Sequence, residues 1–277
     1  MIEKTNKEET SLEVESYKKL SIQVSLNGLS FFVLDTITNE VVLFDRVLFK
    51  TSSTPYLAQK ELKQLFKKHK LVSLGFSEVT VVHKNEMFAL VPKALFEAEE
   101  LANYLKFNTK LLANDHIEYD ELTNLDIVCV YVPFTNINNF VFEQLGEFEF
   151  RHNSIAFLQT ILKQKIGSKQ VCFVHKTDHS FELAVFEQKK LVLYNQFEYK
   201  TKEDFLYYIL FTYEQLKLDV ESVKLKLFGQ IEEGDTYYDI CYQYIKKVNV
   251  FEPMYDNISA LNIVEDKSID LTLLNSL

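Results

Sequence analysis

Two histidines, His175 and His179, are four residues apart, the spacing at which a helix presents both side chains to one metal ion. The flanking runs 170–175 and 180–186 are rich in β-branched and aromatic residues, which predicts strands rather than a helix. In a turn between two strands, side chains four residues apart do not align. Both histidines are therefore interpreted as surface-turn residues, and no metal site is predicted.

Three aspartates, Asp35, Asp45 and Asp126, could supply a nuclease-like carboxylate set, although their spacing alone does not bring them together. Asp35 and Asp45 are better interpreted as strand-end and turn residues. The net charge of −10 opposes attraction to a phosphate backbone, and Arg46 and Arg151 are the only arginines. The sequence has neither a Gly-x-Ser-x-Gly nor a Gly-x-x-x-x-Gly-Lys motif. We therefore predict no catalytic residue and no nucleic-acid partner.

The composition is that of a soluble globular protein, with 47% hydrophobic and 25% charged residues in 277. No apolar run approaches the roughly 20 residues of a membrane helix. Residues 1–16 are rich in Glu and Lys, unlike a secretory signal. The cysteines, Cys129, Cys172 and Cys241, are widely separated within apolar patterns and are interpreted as buried thiols. We expect a cytoplasmic protein that does not insert into a membrane.

The opening of the chain is patterned as three consecutive strands and a helix. An alternating run at 20–26 and strand patterns at 29–35 and 41–49 are separated by the turn sequences Asn27-Gly28 and Thr38-Asn39. A helix is predicted from Pro55 to about His69. Further along, the patterns predict a hairpin over 79–91, helices over 96–107, 136–145 and 154–165, and strands over 116–119, 127–132 and 147–150, of which 127–132 is apolar on both faces and therefore central.

The second half of the chain repeats the order of the first. Strands at 170–175, 180–186 and 191–197 precede a helix at 201–218, a strand at 223–228 and a helix at 236–247. The repetition predicts an α/β protein of two βββαβα halves. The predicted organisation is a mobile leader, 1–17, a first half, 18–167, and a second half, 168–277, whose C-terminal tail is free to return to the first half.

This order of elements resembles the superfamily of actin, hexokinase and the heat-shock chaperones. Residues 225–238 and 240–248 are more narrowly similar to an uncharacterised bacterial family associated with Bacteroidota. The broad resemblance covers about residues 20 to 251. It implies a duplicated actin-like, ribonuclease-H-like fold whose halves flank a central nucleotide cleft.

The resemblance also implies three elements for ATP chemistry: an Asp-x-Gly hairpin in each half and a later Gly-Gly pair. Here the hairpin Val24–Gly28 has no carboxylate, the hairpin Val174–His179 has no glycine, and Phe228-Gly229-Gln230 has one glycine. Without the acid a metal ion lacks charge compensation, and bulky side chains block backbone access to phosphates. We predict an actin-like fold without ATPase activity and with no cofactor. The degenerate cleft positions are Asn27, Gly28, Thr177, Asp178, Gly229 and Gln230.

The aromatic content, 23 Phe and 15 Tyr, exceeds what one core-facing stripe requires in the last two predicted helices. Helices that are apolar on more than one side are either sandwiched within the protein or form an interface. Tyrosine suits an interface because it buries a large face and keeps a polar tip. The candidate partner surface, for self-association or for another protein, comprises Tyr207, Tyr208, Phe211, Tyr238 and Tyr242.

Three functions follow from these observations. The first is a non-catalytic, cytoplasmic, actin-like protein that acts as an interaction module or scaffold. The second is a divergent ATP-binding protein or kinase of the same superfamily, with ligands that the motifs do not reveal. The third and weakest is a nucleic-acid enzyme on a related core, which the acidity of the chain opposes.

Overall fold

The computed structural model describes residues 16–51, 53–164, 166–167 and 169–254. Thirteen strands and six α-helices are present in this part of the chain. The strands are β1 (Lys18–Ser25), β2 (Gly28–Asp35), β3 (Glu40–Leu48), β4 (Glu78–Lys84), β5 (Phe88–Pro92), β6 (Glu118–Leu122), β7 (Ile127–Tyr131), β8 (Glu149–His152), β9 (Val171–Lys176), β10 (Ser180–Glu187), β11 (Lys190–Glu198), β12 (Lys224–Gly229) and β13 (Val248–Val250). The helices are α1 (Pro55–His69), α2 (Leu101–Leu105), α3 (Thr135–Leu145), α4 (Asn153–Leu162), α5 (Lys202–Gln215) and α6 (Thr236–Tyr244).

Two five-stranded sheets have the same topology. The first has the order β3-β2-β1-β4-β8, and the second has the order β11-β10-β9-β12-β13. In each sheet the first three strands are antiparallel, and the two strands that follow pair in parallel. The expected equivalence of 20–49 and 170–197 is therefore present, with boundaries that differ by one or two residues.

Capping residues mark the first turns of three of the helices that cover these sheets. Thr54 caps α1 by accepting a hydrogen bond from Leu57 N, and Pro55 occupies its first turn. Thr201 and Asp204 form a capping box at the start of α5. Asp235 caps α6 by accepting hydrogen bonds from Tyr237 N and Tyr238 N. Each cap fixes where the chain leaves the cleft end of a sheet and turns into a helix.

A three-stranded antiparallel sheet, ordered β5-β7-β6, is inserted into the first half. The predicted hairpin over 79–91 is wrong, because β4 stays between β1 and β8 while β5 joins the inserted sheet. The chain changes sheets at Asn85, whose side chain donates to Val132 O and accepts from Met87 N. The central position predicted for 127–132 is confirmed, since β7 lies between two neighbours.

The helix predicted over 96–107 is much shorter in the structure. Residues Ala98–Glu100 form a 3-10 turn, and α2 covers only five residues after it. Leu95, just before this segment, is 70% exposed. The side-chain hydroxyl of Tyr104 instead holds the preceding segment by donating to Leu95 O and accepting from Glu97 N.

The apolar core is divided into clusters that follow the sheets. One cluster packs α1 and α3 on the first sheet, and another packs α5 and α6 on the second. A third includes residues of both halves, with Phe157 of α4 stacked on Phe228 of β12. The two halves thus share a buried contact, and the division at 167/168 stays a proposal. Ser168 itself lies outside the described residues, as do the predicted leader apart from Ser16 and Tyr17 and the tail from residue 255.

Candidate functional site

A cleft of about 330 Å³ lies between the turn that follows β1 and the turn that follows β9. Residues of both halves line it, including the ends of β4 and β12. Its volume is at the lower end of the range for small-molecule sites, roughly 300–1,000 Å³. The structure brings together all six degenerate positions identified from the sequence at this cleft: Asn27, Gly28, Thr177, Asp178, Gly229 and Gln230.

The two turns have equivalent registers. Val24 pairs with Leu29 and Lys176 pairs with Phe181, so each hairpin closes over four residues. Ser25 and Thr177 therefore occupy equivalent first positions in their turns. Ser25 Oγ donates to Gly28 O at 2.9 Å, and Thr177 Oγ1 donates to Ser180 O at 2.9 Å. A side-chain hydroxyl thus closes each turn, although neither was singled out for this role by the sequence.

The first turn directs its backbone amides inward. Asn27 N and Gly28 N donate to Ser25 Oγ at 3.1 and 3.0 Å. Backbone amides of such turns bind phosphate when they point together at the ligand. Because Ser25 accepts from both, these two amides are already satisfied within the turn.

Polar contacts join the two sides of the cleft. Arg46 donates to Asp178 Oδ2 at 3.1 Å, and Asn27 donates to Glu198 Oε1 at 3.1 Å. The same oxygen of Asp178 also accepts from Gln230 Nε2 at 3.2 Å. The only carboxylate in either turn is therefore neutralised by an arginine of the opposite half.

Gly229 is the single glycine of the third position. Its φ of +91° is unfavourable for any residue with a side chain. A Cβ atom there would lie 2.4 Å from Lys176 O and 2.7 Å from the His175 ring. The glycine is therefore required by close packing of β12 against β9, with no bound nucleoside needed to explain it.

The structure corrects the interpretation of His175. It is a buried residue of β9, whereas His179 is exposed in the turn as expected. His175 Nδ1 lies 3.2 Å from Glu182 Oε2, and its ring stacks on Phe228. Tyr194 OH donates to the other oxygen of Glu182 at 2.5 Å. A buried histidine and a buried carboxylate, joined by a half-buried phenol, thus lie next to the cleft. The sequence signal for this group was the glutamate within the apolar run 181–186.

Two buried lysines, Lys84 and Lys176, also line the cleft. Lys176 Nζ donates to Gln230 O at 3.0 Å and lies 4.2 Å from the centre of the Tyr237 ring. Burial lowers the pKa of Lys176, with Asp235 and Asp178 opposing that effect. Lys84 Nζ lies 3.5 Å from Thr177 Oγ1 across the cleft. Sequence reasoning missed Lys84, which lies in the middle of the hairpin predicted over 79–91.

The three candidate aspartates have separate structural roles. Asp35 Oδ1 accepts from Ile37 N and Thr38 N after β2, as expected of a strand end. Asp45 is inside β3, not in a turn, and pairs with Lys68 and His69. Asp126 has a left-handed backbone before β7. Within the described part of the chain, no three His, Cys, Asp or Glu residues are placed to hold a metal ion.

The candidate aromatic residues differ in exposure. Tyr207 and Tyr242 are each 60% exposed and Phe211 is 43% exposed. Tyr207 stacks on Phe211 along α5, and Tyr238 stacks on Tyr242 along α6. Tyr208 and Tyr238 are half-buried, and Tyr208 lies flat against Phe197 of β11 at 4.6 Å. The structure therefore assigns Tyr208 to packing within the second half.

The three cysteines, Cys129, Cys172 and Cys241, are buried free thiols, as expected. Among the helices of the described residues, none has the length and apolarity needed to span a membrane.

Comparison with known proteins gives a family and a fold. The model of the family described as Protein of unknown function (DUF3822) matches residues 7–248. A crystal structure from Bacteroides thetaiotaomicron, of a protein with an actin-like ATPase fold and unknown function, is similar with a TM-score of 0.74 and 23% identity, over 85% of this chain and 91% of that one. The PilM-PilN type IV pilus biogenesis complex contains a chain similar with a TM-score of 0.61 and 10% identity, over 93% and 97%. None of the curated protein sequences is similar to this one.

Proposed function

The chain belongs to the DUF3822 family and has the actin-like ATPase fold, which confirms the predicted resemblance and fold class. From this premise we propose that it is a non-catalytic interaction module or scaffold of the cytoplasm, divided into an actin-like half at 18–167 and another at 168–277. The observation that carries the proposal is the first turn, where Ser25 occupies both inward amides. A phosphate in the cleft would have to displace a hydroxyl that already satisfies them.

The charges of the cleft support the same conclusion. Asp178 is held by Arg46 and Gln230, so binding a divalent ion there would require breaking two contacts. Magnesium sites that hold nucleotides use free carboxylates together with substrate phosphates.

The exposed aromatic residues of α5 and α6 are the proposed partner surface. The pair Tyr207 and Phe211, with Tyr242 on the next helix, presents large rings that the core of the second half does not use. Such rings supply much of the binding energy of protein interfaces. The similar fold of PilM occurs in a complex with PilN, so this fold can be part of an assembly of two proteins.

A divergent ATP-binding protein or kinase is the second candidate. The favouring observation is that a cleft of about 330 Å³ persists between the halves, with the buried Lys84 and Lys176 in its lining. Lysine is a common phosphate ligand.

Mg-ATP separates these two functions. Under the first proposal, the melting temperature stays within about 1 °C at millimolar Mg-ATP, and no ATP is hydrolysed, because a ligand well above its dissociation constant must stabilise the native state. A rise of several degrees that disappears in Lys84→Met would instead establish the second function. Gly229 is unsuitable for this test, since a side chain at that position would disturb the strands directly.

The partner surface is tested with a Tyr207→Ser, Tyr242→Ser double variant. Both side chains are 60% exposed, so we expect the unfolding free energy to change by less than about 0.5 kcal/mol per site. Loss of a co-purifying protein, or a shift of a self-associated species to monomer in light scattering, supports the surface. The matched control is Tyr56→Ser, another exposed tyrosine on α1 of the first half. An assembly that is unchanged in the double variant, or is lost equally in the control, contradicts it.

A further inference from the structure

Lys84 combines burial with poor pairing. The residue ends β4, pairs with Ser25 of β1, and is only 8% exposed. Its ammonium contacts the neutral hydroxyl of Thr177 at 3.5 Å, which is at the limit of a hydrogen bond. Among the described residues, no carboxylate lies within ion-pair distance of Lys84 Nζ.

Other charged groups of the cleft are already engaged or peripheral. Arg46 and Asp178 pair with each other, and Glu198 accepts from Asn27. Lys176 is held by Gln230 O and the Tyr237 ring. Burying an unpaired ammonium is costly, and buried charges in proteins are normally matched by an opposite charge. Among these cleft cations, Lys84 has the weakest described contact, a long one to a neutral hydroxyl.

The groups around this charge are polar and buried. Gln23, Ser30 and Ser180 line the same cleft, and each is at most 8% exposed. Ser180 Oγ lies 3.2 Å from Thr177 Oγ1, so two hydroxyls stand together close to Lys84. Hydroxyls can donate to the oxygens of an anion, and polar side chains this deeply buried around a cavity are typical of a ligand site.

We propose that the cleft binds one carboxylate group, which pairs with Lys84 and accepts from the hydroxyl of Ser180. The inference goes beyond the proposed function by naming the chemistry that the cleft takes, and it rests on that function in treating the cleft as free of nucleotide. The carboxylate belongs either to a small free acid or to the end of a polypeptide.

A carboxylate fits this site better than a phosphate does. A carboxylate adds one negative charge to a cleft that Glu86 and Glu198 already line, whereas a phosphate dianion would add two. The backbone amides of Asn27 and Gly28, which a turn of this kind could offer to a phosphate, donate to Ser25 instead.

The test measures melting temperature in chloride, acetate, phosphate, N-acetyl-dialanine and N-acetyl-dialanine amide at equal ionic strength. Wild-type protein is compared with Lys84→Met, Lys84→Arg and the control Lys60→Met, which removes the same charge from an exposed position on α1. At about ten times the dissociation constant of the probe, we expect a carboxylate to raise the melting temperature by about 3 °C. The rise persists in Lys84→Arg and Lys60→Met and disappears in Lys84→Met.

Lys84→Met keeps most of the side-chain volume and removes a buried charge, so in chloride it should melt no lower than wild type. Equal shifts with acetate and N-acetyl-dialanine support a small-acid ligand, and a shift with the dipeptide acid but not its amide or acetate supports a chain terminus. No carboxylate shift, a shift that survives in Lys84→Met, or a larger shift with phosphate overturns the inference. The proposed function fails by a different result, namely stabilisation of the protein by Mg-ATP, so the two failures are distinguishable.

Discussion

Acidification should destabilise this protein through two buried histidines, His83 and His152. Each is fully buried, and each ring accepts a backbone amide at Nδ1, from Phe134 and Ser154 respectively. The opposite nitrogens contact Asn138 Oδ1 and Asn85 O, at 2.8 and 3.0 Å. A proton on Nδ1 would place two donors face to face, so the folded protein holds both rings neutral.

The magnitude follows from the pKa values. Burial lowers the pKa of His83 from 6.5 to about 4 and that of His152 from 6.5 to about 3. Below pH 6.5 the unfolded chain binds protons that the folded chain excludes, so stability falls as the pH falls. When the pH falls from about 7.5 to about 4.5, each histidine lowers the free energy of unfolding by about 2.5 kcal/mol, and the pair lowers it by about 5 kcal/mol. Domains of this kind have only about 5–15 kcal/mol in total.

Asp120 acts in the opposite direction. Burial raises its pKa from 3.8 to about 6, while its contact with His152 N lowers it less. Because the folded state binds this proton more tightly, stability increases as the pH falls through 6 towards 3.8. Over the same interval Asp120 increases the free energy of unfolding by about 2 kcal/mol, so the wild type loses about 3 kcal/mol in total.

Urea unfolding followed by circular dichroism at the two pH values measures this loss, since the chain has no tryptophan. Asp120→Asn keeps an acceptor for His152 N but cannot bind the stabilising proton. The free energy of unfolding of this variant should therefore fall by about 5 kcal/mol between the two pH values, instead of about 3 kcal/mol. The control His179→Gln, at an exposed histidine, should behave as wild type. A wild-type stability that is equal at both pH values, or an Asp120→Asn variant with no steeper dependence, would refute the reasoning.

Two further predictions concern the cleft turns. Ser25→Ala removes the acceptor of two amides and should lower the free energy of unfolding, measured in urea, by about 2 kcal/mol. Thr177→Val should lower it by about 1 kcal/mol, and equal losses would contradict the larger role of Ser25. Gly229→Ala should cost about 3 kcal/mol or more, because a Cβ atom meets Lys176 O at 2.4 Å. Gly234→Ala has a similar φ of +87° in open space and should cost only about 1 kcal/mol, so similar losses at both glycines would show that the contact is unimportant.

The three-strand units could be predicted from the sequence because their signals are local. The β-branched and aromatic runs of β2 and β10 predict strands without knowledge of the rest of the chain, and the turn sequence Asn27-Gly28 specifies the first hairpin. Repetition of these units then identified the duplicated fold. The cap at Thr201 lies beside the start of its helix in the sequence, so that boundary was predicted within a residue.

The inserted sheet could not be predicted in the same way. The segments at β4 and β5 are separated by three residues, which is also the length of a hairpin loop. What decides between the two outcomes is non-local, namely pairing of β4 with β1 and of β5 with β7. The same assignment hid Lys84, because a lysine next to an asparagine is ordinary in an exposed turn.

Register equivalence explains how the two halves have diverged at the cleft. Ser25 is equivalent to Thr177, and Leu26 to Asp178, because the turns have equal length. In the adjoining parallel strands, Val24 pairs with His83 and Lys176 pairs with Gly229. A buried histidine in one half thus replaces the glycine of the other.

One step further along those strands, Lys84 of the first half is equivalent to Gln230 of the second. Gln230 and Lys84 both reach the second turn, at Asp178 and Thr177 respectively. The glutamine meets a carboxylate that Arg46 already neutralises, whereas the lysine meets a hydroxyl. Since the backbone places the two side chains equivalently, the difference lies in the charge that each can bind. The unsatisfied charge therefore belongs to the first half, which is why a ligand for this cleft should be sought at Lys84.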